Sequence, residues 1–107
     1  MKENFLQKKP FIKNISWTNE QGKVTLKIEN KGVFNFLAQK LLKKPKISYI
    51  HLDDFGSFVW TKIDGETDIV AIGKEVEAKF GEKANPLYER LSQYLKTLKS
   101  YGFIDFK

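Results

Sequence analysis

The chain has 107 residues, 41% of them hydrophobic and 14% aromatic, enough for one domain with a modest core. It carries no cysteine, which excludes disulfides and thiolate metal sites, and no apolar run approaches the ~18 residues of a membrane span. The formal charge of +6 is uneven: residues 1–47 hold 11 lysines against 3 acidic side chains, and residues 48–107 hold 8 basic against 10 acidic ones. That bias suits the steering of an acidic partner and equally suits plain solubility.

Residues 1–14 are polar and lysine-rich, with Pro10 and no period, and read as an arm ahead of a single domain over 15–107. The start Met1-Lys-Glu-Asn4 is not a signal peptide, so a soluble cytoplasmic protein is expected. Ile15-Ser-Trp17-Thr18 alternates apolar and polar, and Asn19-Glu-Gln-Gly22 reads as a turn. Lys23–Glu29 then alternates cleanly, with Val24, Leu26 and Ile28 on one face, which predicts an antiparallel hairpin with one wet side.

Phe34, Leu37, Ala38 and Leu41 fall at helical spacing, with Lys40, Lys43 and Lys44 ahead of Pro45, so an extra basic helix is expected within 31–46. Its Phe34, Phe36 and Leu37 give it some membrane-surface character, although docking onto the core is the simpler expectation for so short a segment. Ile47–Leu52 reads as a third strand. Three helical patterns follow, over Asp53–Ile63, Thr67–Phe80 and Pro86–Tyr101. Ile69, Ile72, Val76 and Phe80 form the inner stripe of the second, ended by Gly81. Leu87, Leu91, Leu95 and Leu98 form that of the third, with Asn85 as N-cap and Pro86 at its first position. Gly102 closes the third helix, and Phe103–Phe106 can pair as a short final strand.

The stretch His51-Leu-Asp-Asp-Phe-Gly-Ser-Phe-Val-Trp60 sets the chain's one histidine beside two carboxylates. Catalysis there needs a base, an acid or nucleophile, and a pocket. No HExxH, P-loop, GxGxxG or GxSxG pattern accompanies it, and one histidine cannot build a histidine-rich metal site. Asp53 instead precedes the stripe Phe55, Phe58, Val59, Ile63, where a carboxylate accepts the free N–H groups of a first helical turn. Capping is the reading adopted, with Trp60 in the core and no catalytic residue, metal or cofactor expected. Arg90 is the one arginine, which argues against a surface built to read guanine or grip phosphate.

Tyr49–Trp60, Ile63-Asp-Gly65, Ile72–Gly81, Pro86–Lys96 and Gly102-Phe-Ile104, in that order and spacing, resemble the PqqD family, the coenzyme PQQ synthesis protein D type also called the RiPP recognition element. The resemblance implies an α+β, winged helix-turn-helix-like domain: an antiparallel three-stranded sheet plus a three-helix bundle. The helix between the second and third strands departs from the shortest members. It also implies a non-catalytic chaperone that adds the leader of a ribosomally made precursor peptide as a strand to the sheet edge and presents it to a modifying enzyme, often a radical SAM protein. Carried onto this chain, the edge is Ile47, Ser48, Tyr49, Ile50 and His51, flanked by Tyr94, Thr97 and Tyr101 of the last helix. Ile50 and Tyr94 are equally readable as core, and the sequence leaves open which strand face meets the helices.

Two other readings stand beside it. A winged helix could bind nucleic acid through its last helix, although Pro86–Tyr101 carries only Arg90, Lys96 and Lys99 against Glu89. An open edge strand could also be satisfied by a second copy of the chain, making a homodimer with no ligand.

Overall fold

In a computed structural model of the chain, the structure describes residues 4–29 and 47–107; the extra helix expected within 31–46 lies outside them. Among these residues five strands, β1 (Pro10–Ile12), β2 (Ser16–Glu20), β3 (Lys23–Glu29), β4 (Ile47–His51) and β5 (Ile104–Phe106), accompany three helices, α1 (Asp54–Lys62), α2 (Ile69–Phe80) and α3 (Leu87–Ser100). The class is α+β, with an antiparallel sheet in the order β2-β3-β4 and three helices, as expected from the sequence. A second sheet of two strands, β1 and β5, joins the beginning of the described chain to its end.

The β2–β3 turn is tighter than the four-residue turn expected. Glu20 pairs with Lys23, and only Gln21 and Gly22 turn, both at positive φ (53° and 84°). Two such residues match the right-handed twist of the flanking strands, and Asn19 accepts the Gly22 N–H at 2.9 Å. β4 pairs with β3 from Thr25↔His51 to Glu29↔Ile47.

Each helix has a local reason to start and stop. Asp53 caps α1, its carboxylate accepting the Gly56 N–H at 2.7 Å, a contact worth about 1 kcal/mol. For α2 the cap is Asp68, which accepts from Ala71 N–H at 2.8 Å, so the helix starts two residues after Thr67, where the sequence pattern begins. Thr67 belongs to the preceding turn, where its N–H and hydroxyl both donate to Asp64. α3 starts at Leu87, one residue later than expected: Pro86 holds the cap position with no side-chain cap, and its carbonyl accepts the Arg90 N–H. Gly102, at φ 81°, ends α3 by letting its own N–H reach the Lys99 carbonyl while Phe103 N–H reaches that of Leu98.

The core is one cluster. Val24 and Leu26 from the sheet meet Val59, Trp60 and Ile63 of the α1 region, Ile69, Ile72 and Val76 of α2, Leu91, Leu95 and Leu98 of α3, and Ile104 of β5. Trp60 is fully buried within it, and Trp17 packs edge-on against it at 6.0 Å. Residues 4–14, read from the sequence as an arm, include a 3-10 turn at Phe5–Gln7 and the strand β1, in which Pro10 is buried. Gly65 N–H and Ile69 N–H donate to the carbonyls of Pro10 and Lys8, tying this segment to the helices. Among the described residues no helix is long and apolar enough to cross a membrane.

Candidate functional site

The direction of the β4 backbone follows from one hydrogen bond. Leu52 N–H donates to the Val24 carbonyl at 2.9 Å, which continues the register that sets Ile50 opposite Leu26 and Ser48 opposite Ile28. In an antiparallel ladder alternate residues turn their N–H and C=O toward the partner strand and away from it. Ser48 and Ile50 therefore bond inward to β3, and Ile47, Tyr49 and His51 aim their backbone groups at the opposite edge. Among the described residues β4 has β3 as its one strand neighbour.

Side chains on β4 split by face. Residues directly opposite each other share a face, so Ile50 and Ser48 lie with Leu26 and Ile28 on the side of the core. Tyr49 lies beside Lys27, and His51 beside Thr25, on the other side. Tyr49 is 59% and Ile50 38% exposed, while Ile47 and Ser48 are half-buried. The question left open by the sequence is thus answered residue by residue: Ile50 faces the core side and is still partly open to solvent.

Tyr94 and Thr97 of α3 and Tyr101 at its C-cap do not act as one wall. Tyr94 is half-buried, donates its hydroxyl to the Gly56 carbonyl at 3.0 Å and packs edge-on against Phe55 at 6.0 Å. Burial pushes that hydroxyl's pKa above its ordinary range, and the negative charge of Asp53 adds to the shift. Thr97 bonds back to the Gln93 carbonyl and lines a shallow hollow on the exposed side of α3 with Glu89, Ser92 and Lys96. Tyr101, 68% exposed, stacks on Phe103 at 5.5 Å, and both line a cleft of about 430 Å³ with Ile15, Lys27 and Ile28. Ile28 is the ladder partner of Ser48, so Tyr101 is the one of the three drawn toward the inner face of the sheet. Sequence reasoning does not single out Phe103 and Ile15 of that cleft, because nothing distinguishes them from other apolar residues beside a turn.

His51, Asp53 and Asp54 each have their own partner. His51 Nδ1 lies 3.0 Å from the Thr25 hydroxyl, Asp53 caps α1, and Asp54 pairs with Lys23, which holds its carboxyl below the ordinary range. Among the described residues no group of three or more His, Cys, Asp or Glu side chains could hold a metal ion. Arg90 is turned onto the protein itself: it donates to the Lys83 carbonyl at 2.7 Å and its guanidinium sits 4.4 Å from the Phe55 ring centre.

Residues 39–104, more than half of the chain, match the family model for coenzyme PQQ synthesis protein D (PqqD). No curated protein and no solved structure matches the chain at a significant level. The matched region spans β4, all three helices and the start of β5, the same pieces whose order carries the sequence resemblance. The chain belongs to the PqqD family, a non-catalytic, peptide-binding accessory family of the PQQ-biosynthesis type.

Proposed function

We propose that this protein binds the leader segment of a ribosomally made precursor peptide as an added strand along β4 and presents it to a modifying enzyme of the radical SAM type. The observation that carries the reading is the phase of the β3–β4 ladder: the N–H and C=O groups of Ile47, Tyr49 and His51 are aimed outward. Such a row of backbone groups is what an extended peptide pairs with in strand addition.

Backbone pairing is not enough by itself. At about 0.5–1.5 kcal/mol net per bond, four bonds give roughly 2–6 kcal/mol. Micromolar affinity needs about 8 kcal/mol, after the costs of association. Side chains must supply the difference. Ile50 and Ser48, on the core face of the edge strand, are the first that an inward-pointing residue of the added strand meets. The cleft with Tyr101 and Ile28 lies one strand further in, at β2 and β3, within reach of a long side chain of the added strand, and tyrosine suits such a place because its ring packs while its hydroxyl stays wet. Tyr94 contributes by fixing α3 to α1 rather than by direct contact.

The test is amide exchange with the leader of a precursor peptide encoded beside this protein. Protection gained at Ile47, Tyr49 and His51 and not at Ile50 supports the reading. Leader binding that leaves these three amides unchanged rejects it. Sedimentation at several concentrations separates the homodimer, in which the same amides are protected without peptide. Duplex DNA binding that falls steeply with salt separates the nucleic-acid alternative.

A further inference from the structure

The β1/β5 ribbon buries Pro10 and Ile104 on one face and turns the alternate residues the other way. The outward row is Lys9, Phe11 and Lys13 on one side, with Asp105 and Lys107 opposite; Phe103, across from Lys13, is half-buried against the core. Lys9 and Lys107 exchange both backbone hydrogen bonds, at 2.8 and 3.0 Å, so two ammonium-bearing side chains stand directly across from each other. Like charges in that position destabilise a ribbon.

Among the described residues little offsets this charge. Asp105 is the one carboxylate in the row and is paired with Lys99, with Lys13 close enough to help hold its carboxyl below the ordinary range. Asp64, in the turn beneath Phe11, directs its oxygens to the N–H groups of Glu66 and Thr67 and to the Thr67 hydroxyl. Among the described residues neither Lys9 nor Lys13 has an ion-pair partner. An aromatic side chain lies between the lysines: Phe11 stands between Lys9 and Lys13 in the row, and the Lys107 ammonium sits 5.9 Å from its ring centre.

We propose that this face docks an acidic segment of the modifying enzyme bearing apolar or aromatic side chains between its carboxylates. The proposal rests on the reading of β4 as the edge for the precursor peptide: a presenter holds two partners at once, and the ribbon is a sheet separate from the one that contains β4. The row contains lysine and no arginine, so it lacks the planar fork that grips phosphate in two-point contacts. Point charges spaced by a ring fit carboxylates along a polypeptide better than a nucleic-acid backbone.

The probe is a synthetic twelve-residue peptide with the repeat Glu-Glu-Phe, titrated at low salt into the full ¹⁵N-labelled chain. Amides of Lys9, Phe11, Lys13, Asp105 and Lys107 should shift and saturate, and affinity should weaken as salt is raised. The double variant Lys9→Glu/Lys13→Glu should bind roughly tenfold more weakly. Its melting temperature should stay the same or rise, because glutamate at position 9 turns the like-charge pair with Lys107 into an opposite-charge pair. Tyr49→Pro, which disables the β4 edge, should leave this titration unchanged, so failure of one surface does not imply failure of the other. Absence of ribbon shifts at low salt, or equal binding by the double variant, overturns the proposal. Tighter binding of a twelve-nucleotide oligothymidylate or of anionic lipid vesicles at the same amides reassigns the face and overturns it as well.

Discussion

The Ser57 hydroxyl completes the hydrogen bonding of Val24. The two residues lie 33 positions apart, Ser57 is fully buried, and its oxygen accepts the Val24 N–H at 2.9 Å while donating to the Leu52 carbonyl at 3.2 Å. Val24 and Leu52 are the next pair of the β3–β4 register, and they make one of their two expected bonds directly. The other is relayed through the serine, so the first turn of α1 is fastened to the end of the edge strand. Ser57→Ala would leave a buried N–H without a partner and should destabilise the fold by about 1–3 kcal/mol. Denaturant titration measures this, and Ser57→Thr should recover part of the loss if the pocket admits the extra methyl.

Tyr94 and Gly56 make a second fastening. A Cβ at Gly56 would meet the Tyr94 hydroxyl at 3.0 Å and the capping oxygen of Asp53 at 3.1 Å. Gly56→Ala should therefore cost about 1–3 kcal/mol, against the gain that alanine usually brings inside a helix. Tyr94→Phe removes the bond to the Gly56 carbonyl and should cost about 0.5–1.5 kcal/mol. In the double variant the two losses should not add, because both act on one contact. A full additive loss in denaturant midpoints would show that the contact does not link α3 to α1 in solution.

Much of the helical layer is legible in the sequence. The stripes Ile69, Ile72, Val76 and Leu91, Leu95, Leu98 are buried as their spacing requires, and Asp53 caps α1 because it precedes the first stripe directly. Local pattern misleads where two neighbours compete for one role. Thr67 and Asp68 are both good caps, and the choice is made by Asp64, which engages Thr67 in its own turn. β1 is hidden from such reasoning because three residues have no period, Pro10 argues against a strand, and its partner Phe106 lies at the far end of the chain. The same limit applies to the edge: alternation predicts a strand at 47–51, but which amides face outward depends on register with Val24 and Leu26.

Gly73 is required by Tyr88. A Cβ there would stand 2.5 Å from Tyr88 Cε1 and 2.9 Å from its hydroxyl, which donates weakly to the Val70 carbonyl. Gly73→Ala should lower stability by about 1–3 kcal/mol through overpacking between α2 and α3. In a Tyr88→Ala background the same change should be neutral or stabilising, since alanine is favoured over glycine in a helix by about 1 kcal/mol. Thermal melts of the four proteins of this cycle check it.

Acid should loosen the protein in a defined window. The carboxyl of Asp64 is held low first by the Glu66 N–H, then by Thr67; that of Asp105 by Lys99; that of Asp54 by Lys23. A depressed folded-state pKa contributes stability that is fully present above the unfolded value, about 4, and lost as pH falls through the lower folded value. Melting temperature should thus be level near neutrality and decline below about pH 4. Asp64→Asn should make that decline shallower, because its amide keeps an acceptor for the turn without the titrating charge. An equally steep decline in the variant would remove Asp64 from this account.

Proline at two adjacent positions tests the phase of β4. Tyr49 aims its N–H away from β3, so Tyr49→Pro removes no bond of the ladder, and proline is tolerated on the outer side of an edge strand. Ile50 donates inward opposite Leu26, so Ile50→Pro removes a ladder bond and sets the ring against a buried neighbour. Tyr49→Pro should keep most of its thermal stability and lose leader binding. Ile50→Pro should cost on the order of 3 kcal/mol, so its loss of binding would reflect loss of fold. Tyr49→Phe separates backbone from side chain: the Tyr49 hydroxyl lies on the face away from the core, and the variant should bind the leader within about twofold of the wild type. Leader binding kept by Tyr49→Pro would remove the strand edge from the account, and binding lost by Tyr49→Phe, which keeps the outward N–H, would mean that the tyrosine hydroxyl rather than the strand edge holds the peptide.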